Sequence, residues 1–280
     1  MLRPASALGT KCRPARVALV YALGMNRVIV ITGASSGIGA GLAELLGAQG
    51  ARLVLVARRE PELAAVAARS GSAVLTVVAD VTRRADVELV AAKALERYGR
   101  IDVWINNVGR GISRSVLELN DQDIDDMMSV NVKSALYGMQ VAVPIFRRQG
   151  AGHLINVSSL LGRVPIASFR SAYSASKHAL NSLTANLRMD LRAEPNIFVS
   201  TVHPGIVATE FGARALHGGP DSRQLPGAQS VEEVAAVLAS VIEQPRADVY
   251  TRPQAKQLVL AYYGAEDMAE AERKPPFFGS

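Results

Sequence analysis

The segment Tyr173-Ser174-Ala175-Ser176-Lys177 places a phenol and an ammonium group four residues apart, in a stretch whose pattern predicts a helix. Residues four apart lie on the same helix face, so the two side chains are expected to be neighbours. A free tyrosine has a pKa of about 10 and is a poor base at neutral pH. A nearby ammonium group favours the phenolate and is expected to lower this pKa. The pair is therefore a candidate for proton transfer, provided that the rest of the chain supplies a site.

A glycine-rich segment, Thr32-Gly33-Ala34-Ser35-Ser36-Gly37-Ile38-Gly39, directly follows the apolar run Val28–Ile31. Glycines are needed here for a tight turn, for close approach of the backbone to a pyrophosphate and for packing of a helix on a strand. The helix predicted to begin at about Gly37 would direct its N-terminal amides and positive dipole end at the phosphates. Because the glycine-rich segment lies between an apolar strand and an amphipathic helix, it predicts a dinucleotide site.

The next apolar segment ends in Leu55-Val56-Ala57-Arg58-Arg59, where a dinucleotide fold that selects NAD(H) carries an acid for the adenosine ribose. No acid stands there. A guanidinium group suits a 2′-phosphate because its planar fork donates charge-assisted hydrogen bonds. The pattern predicts NADP(H) in preference to NAD(H), with Arg58 the better candidate. Two adjacent arginines are also typical of an ordinary solvated surface, and that alternative stays open.

These segments belong to a regular alternation of strands and helices from Arg27 to about Pro253. Strands are predicted near 27–32, 52–56, 73–79, 102–106, 153–158, 197–203 and 247–251. Helices are predicted near 37–49, 60–69, 83–98, 121–148, 172–193 and 231–243. The alternation predicts an α/β fold, a single doubly wound Rossmann domain whose seven-stranded parallel sheet carries helices on both faces. Residues 206–229 interrupt the rhythm and are predicted to form a substrate lid, and 254–280 form a C-terminal tail without an assigned structure.

Further polar and glycine-containing segments follow in a fixed order along the chain. They are Asp80-Val81 after the third strand, Asn106-Asn107-Val108-Gly109 after the fourth, Asn131 in the long helix, Ser158-Ser159 after the fifth strand, and Pro204-Gly205-Ile206-Val207-Ala208-Thr209 after the sixth. Together with the spacing Thr-Gly-x-x-x-Gly-x-Gly and the Tyr-x-x-x-Lys pair, this ordered set resembles the classical short-chain dehydrogenase/reductase family. The resemblance covers about residues 27–251.

The resemblance implies a role for each of four residues. Tyr173 would be the general acid in reduction and the general base in oxidation, Ser159 would hydrogen-bond the reacting oxygen, and Asn131 would fix a water linked to Lys177. Lys177 would also hydrogen-bond the nicotinamide ribose. Besides Arg58, Tyr173 and Lys177, the implied cofactor contacts are Thr32, Gly33, Ser35, Ser36, Gly37, Ile38, Gly39, Asp80, Val81, Asn107, Pro204, Gly205, Val207 and Thr209.

The chain departs from the family pattern at two points. Val108 stands where alanine is usual, a modest increase in bulk that the fold is expected to tolerate. Ser159 lies 14 residues before Tyr173, where 13 is the commoner spacing. Ser159 is predicted to face the substrate because it aligns with the family serine if the following loop carries one extra residue, while Ser158 stays an alternative.

The predicted function is an NADP(H)-dependent oxidoreductase that interconverts a carbonyl and an alcohol. One alternative is an epimerase or dehydratase of the extended type, which the chain length and glycine spacing disfavour. Another is a non-catalytic NADP(H)-binding redox sensor, which the presence of Ser159, Tyr173 and Lys177 disfavours. The substrate is predicted to be a small, largely apolar molecule, on the basis of the loop and lid residues Leu160, Leu161, Val164, Ile166, Phe169, Ile206, Phe211 and Leu216.

The composition bounds the partners and surroundings. The net charge is +6, but the basic residues are scattered without interleaved aromatic residues, which argues against a nucleic-acid partner. Neither the single cysteine, Cys12, nor the histidines His153, His178, His203 and His217 show ligand spacing, so no metal is predicted. No apolar run reaches the roughly 18–20 residues that span a bilayer.

The expected location is therefore the cytoplasm. The expected assembly is a homodimer or homotetramer packed through the helices 121–148 and 172–193. Residues 1–26 hold several basic residues and the short apolar stretch Val17–Leu23, and are predicted to be a disordered or mis-annotated extension. A weaker alternative is that this extension associates with a membrane.

Overall fold

The computed structural model describes residues 26–71 and 73–277, and one parallel sheet runs through these residues. Its strand order is β3-β2-β1-β4-β5-β6-β7. The strands are β1 (Val28–Thr32), β2 (Arg52–Ala57), β3 (Val74–Val78), β4 (Val103–Asn106), β5 (Gly152–Val157), β6 (Ile197–His203) and β7 (Asp248–Tyr250). The doubly wound sheet predicted from the sequence is confirmed, because the strand order reverses at β1 and continues outward on both sides.

Helices connect the strands and cover both faces of the sheet. They are α1 (Gly37–Ala48), α2 (Glu60–Arg69), α3 (Arg84–Tyr98), α4 (Asp121–Met128), α5 (Ser134–Gln149), α6 (Ser171–Asp190), α7 (Val231–Glu243), α8 (Pro253–Tyr263) and α9 (Met268–Glu272). None of the helices within 26–71 and 73–277 combines the length and the hydropathy needed to cross a membrane. The prediction for residues 1–26 falls almost wholly outside the described residues.

Two parts of the secondary structure differ from the sequence prediction. The single helix expected over 121–148 is divided, because a π-helical turn at Ser129–Lys133 lies between α4 and α5. The tail, for which the sequence predicted no structure, contains α8 and α9. The α8 residues Ala255 and Val259 pack with Leu160 and Val164 in a small apolar cluster, so this helix supports the loop that follows β5.

β1 is apolar from Val28 to Ile31 and β2 from Leu53 to Ala57, as expected of strands with both faces covered. Successive side chains of β1 and β2 alternate between two apolar clusters, as the two-residue repeat of a strand requires. Ile29, Ile31, Leu53 and Leu55 enter one cluster, whereas Val28, Val30 and Val54 enter the other. A continuous core therefore holds each strand in register on both sides.

A buried polar network joins the centre of the sheet to the helices that carry the site. The indole of Trp104 donates to Asn106 Oδ1 at 2.9 Å, and Asn106 Nδ2 donates to Asn156 Oδ1 at 2.9 Å. Asn156 Nδ2 in turn donates to Thr184 Oγ1 of α6 at 2.8 Å. Because buried polar groups are costly when unpaired, this chain of bonds fixes how α6 lies on β5.

The network predicts that Gly138 of α5 tolerates no side chain. A Cβ atom at Gly138 would lie 2.1 Å from Asn106 Oδ1 and 2.6 Å from Trp104 Nε1. We expect Gly138→Ala to destabilise the fold by about 1–3 kcal/mol through this overlap, more than the roughly 1 kcal/mol that alanine gains over glycine in a helix. A lower urea midpoint would show it. Gly205→Ala is the control, because a Cβ there meets no atom within 4 Å. A Gly138→Ala midpoint at or above wild type would contradict the prediction.

Candidate active site

The carboxyl ends of β1, β4, β5 and β6 open into a cleft of about 1320 Å³. This is the edge of a doubly wound sheet at which ligands bind, next to the point where the strand order reverses. The glycine segment and Arg58 line one end of the cleft, and Ser159, Tyr173 and Lys177 line the other. The fold thus brings together site residues that are distant in the sequence.

The glycine segment forms a cradle that has room for a pyrophosphate. Gly33 and Gly37 have φ values of 69° and 55°, a backbone conformation that favours glycine. At Gly39 a Cβ atom would lie 2.4 Å from the carbonyl oxygen of Gly33. The helix can therefore pack this closely on the loop only because residue 39 is glycine. The Ser36 side chain does not cap α1, and the amides of the first helical turn stay free for an anion. The cradle fits the phosphates of a dinucleotide.

Thr32 and Asn107 connect this cradle to the neighbouring strand β4. Asn107 N donates to Thr32 Oγ1 at 3.0 Å, and Asn107 Nδ2 donates to the Thr32 carbonyl oxygen at 3.0 Å. Thr32 Oγ1 donates to the Ile105 carbonyl oxygen at 3.1 Å. Asn107 lines the cleft, whereas Thr32 and Gly39 lie behind its wall and support it.

Two arginines stand at the end of β2, and their surroundings differ. The Arg58 side chain is 74% exposed, and its Nη1 lies 3.9 Å from Asp80 Oδ2. Arg59 Nη2 donates to Ser35 Oγ and Ser36 Oγ, each at 3.1 Å. The sequence analysis preferred Arg58 to Arg59 as the ligand of a 2′-phosphate. It did not predict the contact of Arg59 with the glycine segment, because that contact exists only in the folded loop. Both guanidinium groups line the cleft.

Tyr173 and Lys177 lie on one face of α6 and are buried, with exposed fractions of 7% and 3%. Lys177 Nζ donates to the Val157 carbonyl oxygen at 3.0 Å, at the end of β5. It lies 5.8 Å from the centroid of the Tyr173 ring. The ring of Phe211, from the predicted lid, lies 5.4 Å from that of Tyr173 on another side. The spacing in the sequence therefore produces a buried phenol–ammonium pair.

The direction expected for the Tyr173 pKa is wrong for the chain alone. Burial raises the pKa of Tyr173 to about 12, and the hydrogen bond with Ser159 and the charge of Arg170 offset only part of this rise. Burial also lowers the pKa of Lys177 to about 8. Removal from water disfavours the charged form of both groups. The ammonium group also points to the Val157 carbonyl rather than to the phenol oxygen.

The two candidate serines have different partners. Ser159 Oγ accepts a hydrogen bond from Leu161 N at 3.1 Å, and its hydroxyl lies near enough to the Tyr173 phenol to lower the pKa of that group. Ser158 Oγ is buried and has no hydrogen-bond partner among the described residues. Both serines line the cleft. The contact with the phenol favours Ser159 as the hydroxyl that shares an oxygen of the substrate with Tyr173.

Asn131 lies in the π-helical turn and is held on several sides. Its Oδ1 accepts from Arg110 N at 2.8 Å, and its Nδ2 donates to Ser176 Oγ at 3.0 Å. A Cβ atom at Gly109 would lie 3.3 Å from Asn131 Oδ1 and 3.4 Å from Lys177 Nζ. Asn131 lies behind the cleft wall, separated from Lys177 by the bare backbone of Gly109. Such π turns often occur at functional sites.

The segment that follows β6 lines the cleft and reaches the glycine cradle, where a Cβ atom at Gly37 would lie 3.2 Å from Thr209 Cγ2. Pro204, Gly205, Val207 and Thr209 all line the cleft. The two ends of the predicted lid are joined there, because Ala208 N donates to the Gln229 carbonyl oxygen at 2.8 Å. The lid is therefore a loop with fixed ends.

The wall beyond Tyr173 is less apolar than the sequence predicts. Leu160, Leu161, Ile166, Phe169, Ile206 and Phe211 line the cleft as expected. Val164 and Leu216 do not, because they pack in neighbouring apolar clusters. Five arginines that were not predicted from the sequence also line the cleft, namely Arg110, Arg170, Arg214, Arg223 and Arg252. For Arg170 the sequence did contain a signal, because this arginine lies three residues, or about one helical turn, before Tyr173.

The histidines are paired locally and do not converge. His153 Nε2 lies 2.8 Å from Ser200 Oγ, His203 Nε2 lies 2.9 Å from Asp248 Oδ1, and His217 Nε2 lies 2.7 Å from Asp123 Oδ1. In the described ranges no three His, Cys, Asp or Glu side chains are grouped so as to hold a metal ion.

Known proteins are similar to this chain in sequence. The family described as short chain dehydrogenase matches residues 27–218. An uncharacterised oxidoreductase of Staphylococcus epidermidis is 34% identical over 195 residues, which cover 68% of this chain and 84% of the relative. One of Staphylococcus saprophyticus is 37% identical over 199 residues, with the same coverage of 68% and 84%.

Two solved structures with this architecture are complexes with a nicotinamide cofactor or its derivative. A short chain dehydrogenase/reductase from Burkholderia phymatum in complex with NAD is 29% identical, with a TM-score of 0.79 over 90% of this chain and 96% of that one. An alcohol dehydrogenase from the archaeon Thermococcus sibiricus, complexed with 5-hydroxy-NADP, is 26% identical, with a TM-score of 0.70 over 80% and 95%. With the cradle, the buried Tyr–Lys pair and the matching family, the chain belongs to the short-chain dehydrogenases, a family of NAD(P)(H)-binding oxidoreductases.

Proposed function

We propose that this chain is an NADP(H)-dependent oxidoreductase that interconverts a carbonyl and an alcohol, with Tyr173 as the general acid and base. The observation that carries the proposal is that a single cleft holds the glycine cradle at one end and the buried pair of Tyr173 and Lys177 at the other. A dinucleotide bound in the cradle and extended along the cleft would bring its reactive ring to this pair. The bound nicotinamide supplies or accepts the hydride.

Tyr173 suits the role of proton donor in reduction. Its pKa of about 12 keeps the phenol protonated at neutral pH, so the proton is available to a carbonyl oxygen that gains negative charge. Ser159, whose hydroxyl lies near the phenol, would donate to the same substrate oxygen and hold it in place. In oxidation, Tyr173 must first lose its proton through Lys177 to solvent, and the resulting phenolate then accepts the alcohol proton while Ser159 keeps its position.

Lys177 would have two tasks in this reaction. Its ammonium group, 5.8 Å from the Tyr173 ring, stabilises the phenolate that forms when Tyr173 gives up its proton. The same group would hold the ribose next to the nicotinamide. Asn131, across Gly109 from Lys177, would position a water that returns a proton to the pair.

The preference for NADP(H) rests on the two arginines at the end of β2. Arg58 is largely exposed, so its guanidinium is available to a 2′-phosphate, whereas Arg59 is ion-paired with Glu62 at 3.0 Å and donates to the serines of the glycine segment. No acidic residue ends β2, where an NAD-selective fold would carry one. Asp80 and Val81, at the end of β3, would contact the adenine.

Removal of the Tyr173 hydroxyl tests the proton-transfer role. Tyr173→Phe keeps the ring and its packing, so cofactor affinity should change little while turnover falls by about 10²–10⁴. Lys177→Met should weaken cofactor binding as well as turnover, because the ammonium group is proposed to hold the ribose. Cofactor titration and the absorbance of the reduced nicotinamide measure both quantities. A folded Tyr173→Phe enzyme with near wild-type turnover would remove Tyr173 from the mechanism.

Cofactor preference is tested at Arg58. Wild type should bind NADPH more tightly than NADH, and Arg58→Ala should weaken NADPH binding by about tenfold, because a charge-assisted hydrogen bond to the 2′-phosphate is lost. NADH binding should stay within about twofold, since NADH lacks that phosphate. Calorimetric titration of both cofactors is the measurement. Arg246→Ala removes an exposed arginine that precedes β7 and serves as the control. Equal affinities in wild type would defeat the assignment.

The buried ammonium group also predicts how stability depends on pH. Because burial lowers the pKa of Lys177 from 10.5 to about 8, the folded chain binds fewer protons than the unfolded chain between these pH values. The free-energy cost of burying the charged ammonium group is fully present below pH 8, and it disappears as the pH rises to about 10.5. Relative to Lys177→Met, wild type should therefore gain on the order of 2–3 kcal/mol over this range.

Urea unfolding of both proteins from pH 7.5 to 10.5 measures this difference without cofactor or substrate. Tyr173 and the other titrating groups are common to both proteins, so their contributions largely cancel. Lys93→Met, which removes an exposed lysine of α3, controls for the loss of one positive charge. A wild-type advantage that stays constant across the range would contradict a buried, destabilised ammonium group.

A further inference from the structure

One guanidinium group is buried at the substrate end of the cleft without an acidic partner. Arg170 is 7% exposed and lies directly before α6, one helical turn ahead of Tyr173. Its Nη1 donates a long hydrogen bond of 3.3 Å to the Ile112 carbonyl oxygen, and its Cζ lies 5.1 Å from the centroid of the Phe169 ring. Within the described residues, no carboxylate forms an ion pair with it.

The surrounding backbone leaves room for this group. A Cβ atom at Gly111 would lie 3.0 Å from Arg170 Nη1, and one at Gly219 would lie 3.0 Å from Nη2. Glycine at both positions lets the guanidinium lie flat between the loop that follows β4 and the lid. The group is thus built into the wall of the cleft.

Arg170 differs from the exposed Arg110 and Arg252 of the cleft in being buried, and from three neighbouring arginines in having no acidic partner in the described part of the chain. Arg214 is ion-paired with Glu210, and Arg223 is ion-paired with Asp221 and Glu210. Arg114 is ion-paired with the buried Asp123. A guanidinium has five N–H donors, and burial without a counter-ion costs free energy. The cost is visible in Arg170, because burial lowers its pKa.

Arg170 also lies close to the proposed reacting atoms. A Cβ atom at Gly111 would touch both Arg170 Nη1 and Phe211 Cε1, at 3.0 and 3.1 Å, and Phe211 packs on Tyr173. The charge of Arg170 acts on Tyr173 in the direction that favours the phenolate. A ligand that contacts Arg170 would therefore reach the neighbourhood of the phenol oxygen.

We propose that Arg170 binds a carboxylate of the substrate, so that this site acts on oxo acids, or the corresponding hydroxy acids, whose remaining part is apolar. The inference rests on the proposed function and names its substrate class. A carboxylate matches the planar fork of a guanidinium, and its charge is neutralised by the buried Arg170, which has no acidic partner among the described residues. Leu161, Ile166 and Phe211 supply the apolar part of the wall.

Turnover of matched acids and esters tests the proposal. The probes are aryl oxo acids with one to four carbon atoms between the carbonyl and the carboxylate, each compared with its methyl ester. Wild type should prefer at least one acid over its ester by more than about tenfold in kcat/KM. Arg170→Gln should reduce kcat/KM for that acid by about 10- to 100-fold and leave the ester within about threefold.

Arg214→Gln is the matched control, because it removes an arginine of the same wall whose charge is neutralised by Glu210. It should preserve the preference for the acid. Arg170→Lys, a second variant in case the glutamine protein does not fold, should lose part of the preference because lysine lacks the planar fork. A wild type that prefers no acid over its ester would overturn the proposal. An equal loss of kcat/KM for acid and ester in Arg170→Gln would also overturn it, because Arg170 would then only support the lid.

A binding measurement separates this inference from the proposed function. With NADPH present, 4-phenylbutanoate should raise the melting temperature of wild type more than 4-phenylbutanamide does, and Arg170→Gln should abolish the difference. If none of the carbonyl probes is reduced while this Arg170-dependent binding persists, the proposed function fails and the carboxylate site stands. Equal effects of the acid and the amide on wild type would contradict the carboxylate site, whatever the turnover.

Discussion

The placement of the Lys177 ammonium group constrains the surrounding active site. A buried charge must find hydrogen-bond partners, and Lys177 Nζ finds the Val157 carbonyl oxygen at 3.0 Å, where β5 ends. The neighbouring backbone is shaped to admit it. A Cβ atom at Gly162 would lie 2.9 Å from Lys177 Cβ, and one at Gly109 would lie 3.4 Å from Nζ. The loops that follow β4 and β5 are therefore glycine where they approach α6.

The sheet supplies the rigidity that this arrangement needs. β5 lies between β4 and β6, with Asn106 paired to Asn156 and Val157 paired to Val202, so the three strands end at nearly the same level. The loops that carry the site leave the sheet from that level. Asn156 of β5 also donates a hydrogen bond to Thr184 of α6. The strand whose carbonyl group binds the Lys177 ammonium is therefore bonded directly to the helix that contains Lys177. Tyr173 and Lys177 thus rest on a regular helix, whereas Ser159, the glycine cradle and the lid belong to loops.

Features with local causes could be predicted from the sequence. The glycine segment follows from backbone conformation at Gly33 and Gly37, and the shared face of Tyr173 and Lys177 follows from helical spacing. Features that depend on tertiary burial could not. The raised pKa of Tyr173 and the unpaired state of Arg170 arise from the loops that enclose them, which no local pattern specifies.

The central claim is that this cleft transfers hydride directly between the nicotinamide and a carbonyl carbon. The most direct test is a single turnover with NADPH deuterated at C4, using each of the two C4 epimers in turn and a carbonyl substrate in excess of enzyme. We predict that one epimer delivers its deuterium to the carbinol carbon of the alcohol and the other delivers hydrogen. Bound NADPH with no reduction of any carbonyl, or an alcohol without deuterium from either epimer, would contradict the account.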